Sequence, residues 1–273
     1  MKFKLDSVSS DVKDKALSQA INNSTFQQPA AAPGQKPHVN VVFCIPGREF
    51  TANFLQCWTN LVNTLYQNKI SFALSNAYSP VVYYARSACL RGHVLNGRNQ
   101  KPFQGEITYD YIMWIDSDIV FQPENFYALL KRMEENKNLQ LLSGLYLMAD
   151  GHHTTCVDKW DEDYFQQNGS FKFLTKQDVE NKKSELETKS NGGIFESVYI
   201  GFGWLMVRYG VHESFEYPFF KPQFHTLKKG TPNEIYDFSS EDSSFFLELR
   251  EKNVKCYVDP DVLVGHEKMV VLR

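Results

Sequence analysis

A surplus of charge of one sign is missing from this sequence. Its 273 residues include 29 lysines and arginines against 32 aspartates and glutamates, which gives a formal net charge of −3. Proteins that bind nucleic acids concentrate basic residues, so a nucleic-acid partner is not favoured. The chain also lacks an apolar run long enough for a transmembrane segment. Its first residues, MKFKLDSVSSDVKDK, lack the apolar core of a signal peptide. We therefore expect a soluble, cytoplasmic protein.

Cysteine is scarce and scattered. The five cysteines are an odd number, and no two of them form a C-x-x-C pair. Several lie inside apolar runs, where a thiol behaves as a small hydrophobic group. This usage indicates reduced thiols in a cytosol-like compartment.

Several sequence signatures of common enzyme classes are also absent. No G-x-x-x-x-G-K-[ST] segment is present, and no G-x-G-x-x-G follows the first apolar run. These absences disfavour a P-loop and a dinucleotide-binding fold. A G-x-S-x-G segment is missing too, which disfavours a serine hydrolase of the α/β type.

The chain does have apolar runs of strand length that alternate with helical patterns. The predicted strands are residues 39–45, 70–74, 111–115, 139–147, 197–209 and 255–264. The predicted helices cover 53–67, 79–96, a segment that opens at 123, and 239–253. Alternation of this kind predicts a mostly parallel α/β sheet flanked by helices. In such sheets, ligands bind beyond the carboxyl ends of the strands.

Composition divides the chain into two parts. Residues 1–37 include the segment QQPAAAPGQKP and are predicted to be an arm and linker, with a short helix near 13–22. Residues 38–273 are predicted to form one domain. Within it, a polar stretch at about 150–195 is interpreted as an insertion or flexible loop that contains a lysine-rich helix.

Two carboxylates follow the third predicted strand. The apolar run 111–115 leads directly into Asp116 and Asp118. Their side chains point to the same side of an extended chain. Two acids so placed can hold a divalent cation such as Mg²⁺ or Mn²⁺. The alternative is a turn in which both acids cap the next helix, but the position directly after a buried strand favours the cation.

The order of these motifs resembles that of GT-A fold glycosyltransferases of the D-x-D type, similar to glycosyltransferase family 2, over roughly residues 38–268. The segments that carry the resemblance are Pro46 after the first strand, Trp114-Ile115-Asp116-Ser117-Asp118, Ser143-Gly144-Leu145-Tyr146, Gly201-Phe202-Gly203-Trp204-Leu205-Met206, Ser240-Glu241-Asp242 and Gly265-His266. Each motif alone is weak, and their order and spacing are more specific. The resemblance implies a GT-A (Rossmann-like) single domain.

The resemblance also implies metal and catalytic roles. Asp118 would be the main carboxylate ligand of Mn²⁺ or Mg²⁺, Asp116 would contact the ribose or the metal through water, and His266 would be a further ligand. His152 and His153 are rival histidines in the polar stretch. In an enzyme that inverts the anomeric configuration, Asp242 or, as the alternative, Glu241 would be the general base. In a retaining enzyme neither acid needs to be a base.

Further residues are assigned to the two substrates. The expected nucleotide-binding residues are Pro46, Gly47, Arg48, Glu49, Arg86, Asp116 and Ser117. The expected donor- or acceptor-sugar residues are Tyr146, Met148, Gly203 and Trp204, with Phe202 as a second ring that could stack on the acceptor.

The implied function is transfer of a sugar from a UDP- or GDP-sugar to a carbohydrate or glycoconjugate acceptor. Two alternatives stay open at this point. One is a sugar nucleotidyltransferase, although the segment Pro46-Gly47-Arg48-Glu49 is a poor version of its glycine-rich phosphate loop. The other is a catalytically inactive protein of the same fold that binds carbohydrate or nucleotide.

Overall fold

The computed structural model describes residues 35–187 and 193–269. The predicted helix near residues 13–22, most of the predicted linker, and residues 188–192 of the polar stretch lie outside the described residues. Among the described residues, no helix has the length and apolar character needed to cross a membrane.

A seven-stranded sheet forms the centre of the described structure, in the order β2-β1-β3-β9-β5-β12-β7. These strands are β1 (His38–Pro46), β2 (Phe72–Ala77), β3 (Thr108–Ile115), β5 (Leu141–Leu145), β7 (Phe195–Ser197), β9 (Trp204–Arg208) and β12 (Cys256–Leu263). Strand β1 is parallel to β2 and β3, and β5 is parallel to β12. Strand β9 is antiparallel to both β3 and β5, and β7 is antiparallel to β12. Five of the seven strands therefore run in one direction, and only β9 and β7 run against them. This mostly parallel sheet confirms the predicted α/β class.

Helices cover both faces of this sheet. The described helices are α1 (Ala52–Gln67), α2 (Val82–Cys89), α3 (Pro123–Glu135), α4 (Glu162–Asn168), α5 (Lys176–Glu187) and α6 (Glu241–Glu251). Helices α1 and α3 bury their apolar sides in one hydrophobic cluster, together with Phe43 and Met113 of the sheet. Helices α2 and α6 contribute Cys89 and Phe245 to the cluster on the other face. Spacing of three and four residues between apolar positions explains why each helix has one buried side.

Strand β3 is buried on both faces because it lies between β1 and β9. Tyr111, Met113 and Ile115 belong to the cluster of α1 and α3. Ile112 and Trp114 belong to the cluster of α2 and α6. The continuous apolar run of the sequence is thus the signature of a central strand. The chain leaves the sheet after Ile115, and the two aspartates follow directly.

Three small antiparallel pairs complete the described sheet structure. They are β4 (Ile119–Val120) with β13 (Gly265–His266), β6 (Cys156–Val157) with β8 (Tyr199–Ile200), and β10 (Gln223–Leu227) with β11 (Ile235–Ser239). In the first pair, His266 lies opposite Ile119. That pairing brings the last described strand next to the turn that contains Asp118.

The structure differs from the prediction made from the sequence in four details. The second strand begins at Phe72 rather than residue 70, because Lys69 at φ 56° and the Ile70 N–H bonded to Leu65 still belong to the end of α1. The predicted helix 79–96 is reduced to α2, which ends before Arg91 at φ 56°. The hairpin β10–β11 was not predicted. The polar stretch contains β6, α4 and α5.

Candidate functional site

The two aspartates lie in the turn between β3 and β4. The Asp116 N–H donates to the carbonyl of Gly203 at 3.2 Å, and the Ile119 N–H donates to the carbonyl of Asp116 at 3.1 Å. Both carboxylates stay partly accessible, with 29% of the Asp116 side chain and 37% of the Asp118 side chain exposed. The strand is buried, whereas its two acids reach the edge where the parallel strands end.

Arg86 of α2 joins two acids that are far apart in sequence. Its Nη1 lies 3.1 Å from Oδ1 of Asp116, and its Nη2 donates to Oδ2 at 3.3 Å. Its Nε donates to Oε1 of Glu241 at 3.2 Å. Burial acts to lower the pKa of Arg86, but the charges of Asp116 and Glu241 outweigh it and raise that pKa. Arg86 is therefore a permanent buried cation shared by both acidic motifs.

Aromatic rings support this guanidinium. The Arg86 Cζ lies 4.8 Å from the ring centre of Phe202 and 5.8 Å from that of Trp114. The Trp114 Nε1–H donates to Nε2 of His212 at 3.1 Å. His212 is fully enclosed, and burial lowers its pKa to about 3, so its ring is neutral. A neutral imidazole can accept this bond, whereas an imidazolium cannot.

Asp118 has different partners. Its Oδ2 lies 3.2 Å from Nε2 of His266 and accepts a hydrogen bond from Nζ of Lys268 at 2.6 Å. Partial burial acts to raise the pKa of Asp118, but the bonds from His266 and Lys268 outweigh it and lower that pKa to about 2. The other ring nitrogen of His266, Nδ1, is 2.6 Å from the carbonyl of Leu147. That carbonyl fixes the ring so that Nε2 faces Asp118.

One cavity of about 440 Å³ collects the predicted nucleotide-binding residues. Its lining contains all seven of them, namely Pro46, Gly47, Arg48, Glu49, Arg86, Asp116 and Ser117, together with Asp118. The remaining walls come from the start of α2 and from Tyr78, whose ring lies 5.0 Å from the Arg48 guanidinium. Tyr78 was not singled out in the sequence, because nothing local marks an exposed tyrosine before a Ser-Pro step as part of a cavity.

Close packing shapes the floor of this cavity. A Cβ on Gly47 would lie 2.7 Å from the Cβ of Ser117, so only glycine allows the β1 end to approach the aspartate turn. The side-chain amide of Asn76 donates to the carbonyls of Ile45 and Gly47, at 2.7 and 2.8 Å. Asn76 therefore ties the end of β2 to the end of β1.

Glu241 and Asp242 begin α6, and they face different surroundings. The Glu241 side chain is only 7% exposed and is turned inward to Arg86. Burial and the neighbouring charge of Asp242 raise its pKa, and Arg86 limits the rise. Asp242 is half-buried, and its Oδ2 accepts from the Tyr199 hydroxyl at 2.6 Å. Its Oδ1 accepts from the backbone N–H of Ser243 at 2.8 Å. Asp242 is thus the more accessible of the two predicted bases.

The structure corrects part of the predicted sugar site. Trp204 has no exposed surface and packs on Phe121 with ring centres 4.7 Å apart, and Phe202 is 1% exposed. Gly203 is enclosed too, because a Cβ there would lie 2.7 Å from the Tyr146 ring. These three residues are core, so none can stack on a sugar. The sequence pattern of a glycine-containing aromatic segment does not reveal which rings face inward.

Tyr146 and Met148 lie on either side of the carbonyl that holds His266. The Tyr146 hydroxyl accepts from the Gly203 N–H at 2.9 Å, and its ring is 5.1 Å from the His266 ring. Met148 is half-buried, and its N–H donates to the carbonyl of His153. His153 itself binds Asp150 within an exposed loop.

The residues present fit a divalent cation in part. Within residues 35–187 and 193–269, no group of three or more His, Cys, Asp and Glu side chains is arranged to hold a metal ion. Asp118 and His266 do converge, and the Leu147 carbonyl leaves His266 Nε2 directed at the carboxylate. Asp116 is engaged by Arg86. Two protein ligands suit Mg²⁺ or Mn²⁺ when phosphate and water oxygens complete the coordination.

Comparisons with known proteins give distant likenesses. No family model matches the chain, and no curated protein matches it. Several solved structures are similar, among them the following three. A197 from STIV has 15% identity and a TM-score of 0.43, over 86% of this chain and 97% of that one. A complex of glucosyl-3-phosphoglycerate synthase from Mycobacterium tuberculosis with Mn²⁺ and UDP-glucose has 11% identity and a TM-score of 0.40, over 85% and 73%.

The third is the mannosyltransferase PcManGT from Pyrobaculum calidifontis in complex with GDP-mannose and Mn²⁺. It has 9% identity and a TM-score of 0.42, over 93% of this chain and 64% of that one. At TM-scores below 0.5, these likenesses assign neither a family nor an activity to this chain.

Proposed function

We propose that this protein is a glycosyltransferase that moves a sugar from a UDP- or GDP-sugar to a carbohydrate or glycoconjugate acceptor. The observation that carries the proposal is the cavity of about 440 Å³ at the ends of β1 and β3. It is lined by the D-x-D acids, by Arg48 and by Arg86. A cavity of this size at the carboxyl edge of a parallel sheet is the expected place and volume for a nucleotide ligand.

The chain's own residues divide the work of binding. Arg48 is exposed at the entrance and stacks on Tyr78, where it can meet phosphate oxygens. Asp116 is held in place by Arg86 and offers a carboxylate oxygen to a ribose hydroxyl. Ser117 packs against Gly47 and closes the floor beneath the nucleotide.

Asp118 and His266 would hold Mn²⁺ or Mg²⁺, with the donor's diphosphate completing the ligand set. The cation would neutralise charge that develops on the diphosphate as it leaves. Lys268 adds a positive charge at the same carboxylate. Together these groups surround the leaving group with fixed charge, which is an electrostatic form of catalysis.

Asp242 would take the proton from the attacking acceptor hydroxyl. Its Oδ2 is oriented by the Tyr199 hydroxyl. The preceding residue, Glu241, binds Arg86, which in turn binds Asp116. Burial, together with the charge of Asp242, raises the pKa of Tyr199 well above its ordinary value. Tyr199 therefore stays a hydrogen-bond donor, and it positions the carboxylate rather than competing for the proton.

Thermal unfolding with nucleoside diphosphates tests the proposal. UDP, GDP and CDP are each added with and without Mn²⁺, and one of UDP or GDP should stabilise the protein only when the metal is present. Stabilisation reaches about 2.7 kcal/mol at a ligand concentration 100 times Kd.

The Asp118→Asn variant should lose the metal-dependent part of that stabilisation. Asp163→Asn is the matched control, because Asp163 is exposed, pairs with Lys228 and does not line the nucleotide cavity. If no nucleoside diphosphate stabilises the protein in Mn²⁺, the proposed function is wrong.

A further inference from the structure

A second cavity, of about 450 Å³, lies between α4, the hairpin β10–β11 and the start of α6. It is separate from the nucleotide cavity, with which it shares no lining residue. Five large aromatic side chains line it, and these are Trp160, Phe165, Phe171, Phe173 and Phe238. A smaller cavity of about 180 Å³ adjoins it through Trp160 and Arg250, which line both.

The rings of this cavity contact one another and Tyr199 behind them. The centre of the Trp160 ring lies 4.7 Å from that of Phe171 in an edge-on contact, and the Phe171 and Tyr199 rings stack at 6.3 Å with an angle of 25° between their planes. Tyr199 is the residue whose hydroxyl binds Asp242. Ring contacts therefore connect the cavity wall, through Tyr199, to the acid proposed as the base. Ser240 and Ser243, on either side of the Glu241–Asp242 pair, line the cavity as well.

Polar groups are distributed among the rings. His225, Asp237, Ser239 and Ser240 give the cavity hydrogen-bonding sites. The Trp160 Nε1 is buried without a hydrogen-bond partner in the described part of the chain. Arg250 is exposed, and no carboxylate of residues 35–187 or 193–269 lies within ion-pair distance of it. Aromatic faces with a few placed polar groups are the usual lining of a small-molecule site.

The charges of the lining select among ligand classes. Asp161, Glu162 and Asp237 supply three acids, against the two basic residues His225 and Arg250. That balance disfavours a phosphate or another anion. The row of serine hydroxyls and carboxylates disfavours a lipid chain, which offers no hydrogen bonds. An uncharged sugar satisfies both conditions, because a pyranose has an apolar face for stacking and hydroxyls at its edge.

We propose that this cavity binds an uncharged oligosaccharide and that the acceptor of the reaction is such a glycan rather than a single sugar. The larger cavity and its extension have room for more than one ring. The terminal hydroxyl would reach Asp242 past Ser240 and Ser243. The role as acceptor site rests on the proposed function, whereas the binding of a glycan can be measured independently of it.

Glycan binding by the full chain tests the proposal. The protein is applied to an array of uncharged oligosaccharides, and hits are measured by saturation-transfer NMR and by tryptophan fluorescence titration, each against the corresponding monosaccharide. We expect at least one oligosaccharide to bind and to bind more tightly than its monosaccharide. Binding of no oligosaccharide, or of monosaccharides equally well, overturns the proposal.

A pair of variants on the same hairpin locates the site. Phe238 lines the cavity and is 54% exposed, whereas Tyr236 is 68% exposed and does not line it. Both can be replaced by alanine without opening the core. Phe238→Ala should weaken glycan binding roughly tenfold, because a stacking surface is lost. Tyr236→Ala should leave it unchanged. Equal affinity in the two variants overturns the assignment of the cavity.

The nucleotide experiment separates the two proposals. Phe238→Ala should keep the stabilisation by UDP or GDP in Mn²⁺, because the residue is absent from the nucleotide cavity. Loss of glycan binding with intact nucleotide stabilisation supports the oligosaccharide site. Glycan binding in a protein that no nucleotide stabilises refutes the transferase and leaves a carbohydrate-binding cavity.

Discussion

The two faces of the central sheet are packed by different chemistry. The face covered by α1 and α3 is built mainly from aliphatic and aromatic side chains such as Phe43, Leu61 and Phe126, and its α3 residue Arg132 pairs with the buried Asp259. The face covered by α2 and α6 encloses Arg86, Glu241 and His212 among its rings. Both proposed cavities open beside the second face. The comparison teaches that the buried charge next to the candidate site lies on the second face, whereas the first face contributes chiefly to stability.

Among the variants that test this comparison, replacement of Arg86 should cause the largest loss, both of folding stability and of nucleotide binding. Arg86→Met leaves Asp116 and Glu241 without their cation, and loss of one partner of a buried ion pair costs about 3–5 kcal/mol. Guanidinium-chloride unfolding measures this loss. The nucleotide-dependent stabilisation should also disappear, because Asp116 loses the contact that orients it.

Leu61→Ala is the matched variant on the other face. Leu61 is fully buried, and its truncation costs about 2–5 kcal/mol. It should nevertheless keep the nucleotide-dependent stabilisation when measured below its own unfolding transition. If Leu61→Ala loses nucleotide binding as Arg86→Met does, the division of labour between the faces is wrong.

Asp242→Asn should have the next largest effect, and it falls on activity alone. An amide cannot accept the proton of the acceptor hydroxyl, so the transfer rate should fall about 10²–10⁴-fold. Transfer is measured as release of UDP or GDP, and the nucleotide-dependent thermal stabilisation should be unchanged. Asp163→Asn is the control, because Asp163 is exposed, pairs with Lys228 and lines neither cavity. Transfer at the parent rate by Asp242→Asn would refute the base assignment.

The helices and strands with a regular apolar pattern were predictable from the sequence. The strand β1, the helices α1, α3 and α6, and the central strand β3 follow from apolar runs, periodicity and the Ser240 cap. Strand β2 was misplaced, because its polar half, Ser75 and Asn76, is extended only through pairing with Ile45 and its neighbours. No local pattern records that partner.

The candidate site shows the same limit. Chain order placed the nucleotide residues at one edge, and the structure brings all seven of them to one cavity. In the bridge from Asp116 through Arg86 to Glu241, Arg86 on α2 and Glu241 on α6 are 155 residues apart, so no spacing rule reveals the bridge. The hairpin β10–β11 did leave a local signal: Tyr236-Asp237-Phe238-Ser239 alternates, and Gly230 to Pro232 forms a turn-like sequence before it.

Acid should lower the free energy of unfolding through His212, which is buried on the face covered by α2 and α6. Its pKa is about 6.5 when unfolded and about 3 when folded, because burial disfavours the charged ring. The unfolded chain therefore binds one more proton, and the stability falls as the pH decreases from 6.5 towards 3. The slope reaches at most about 1.4 kcal/mol per pH unit for one proton.

The His212→Gln variant measures that contribution. A glutamine can still accept the Trp114 N–H, and it does not titrate. Unfolding free energies between pH 3 and pH 7 should therefore decline less steeply in His212→Gln than in the parent. His152→Gln is the control, since His152 lies in an exposed loop. Parallel pH profiles for the parent and His212→Gln would show that the buried ring does not limit acid stability.

Replacement of Lys268 should have the smallest effect, and it tests how the negative charge of Asp118 is balanced. Its ammonium binds the Asp118 carboxylate, which would also hold the cation. Exposed pairs of this kind contribute about 0.2–1 kcal/mol, so Lys268→Ala should tighten the apparent Mn²⁺ affinity by roughly 1.5- to 5-fold. The measurement is a Mn²⁺ titration of the nucleotide-dependent thermal stabilisation. Lys255→Ala, at an exposed lysine paired with Glu196, is the control. A weaker Mn²⁺ affinity in Lys268→Ala would show instead that the attraction of the ammonium for the diphosphate outweighs its competition with the metal for Asp118.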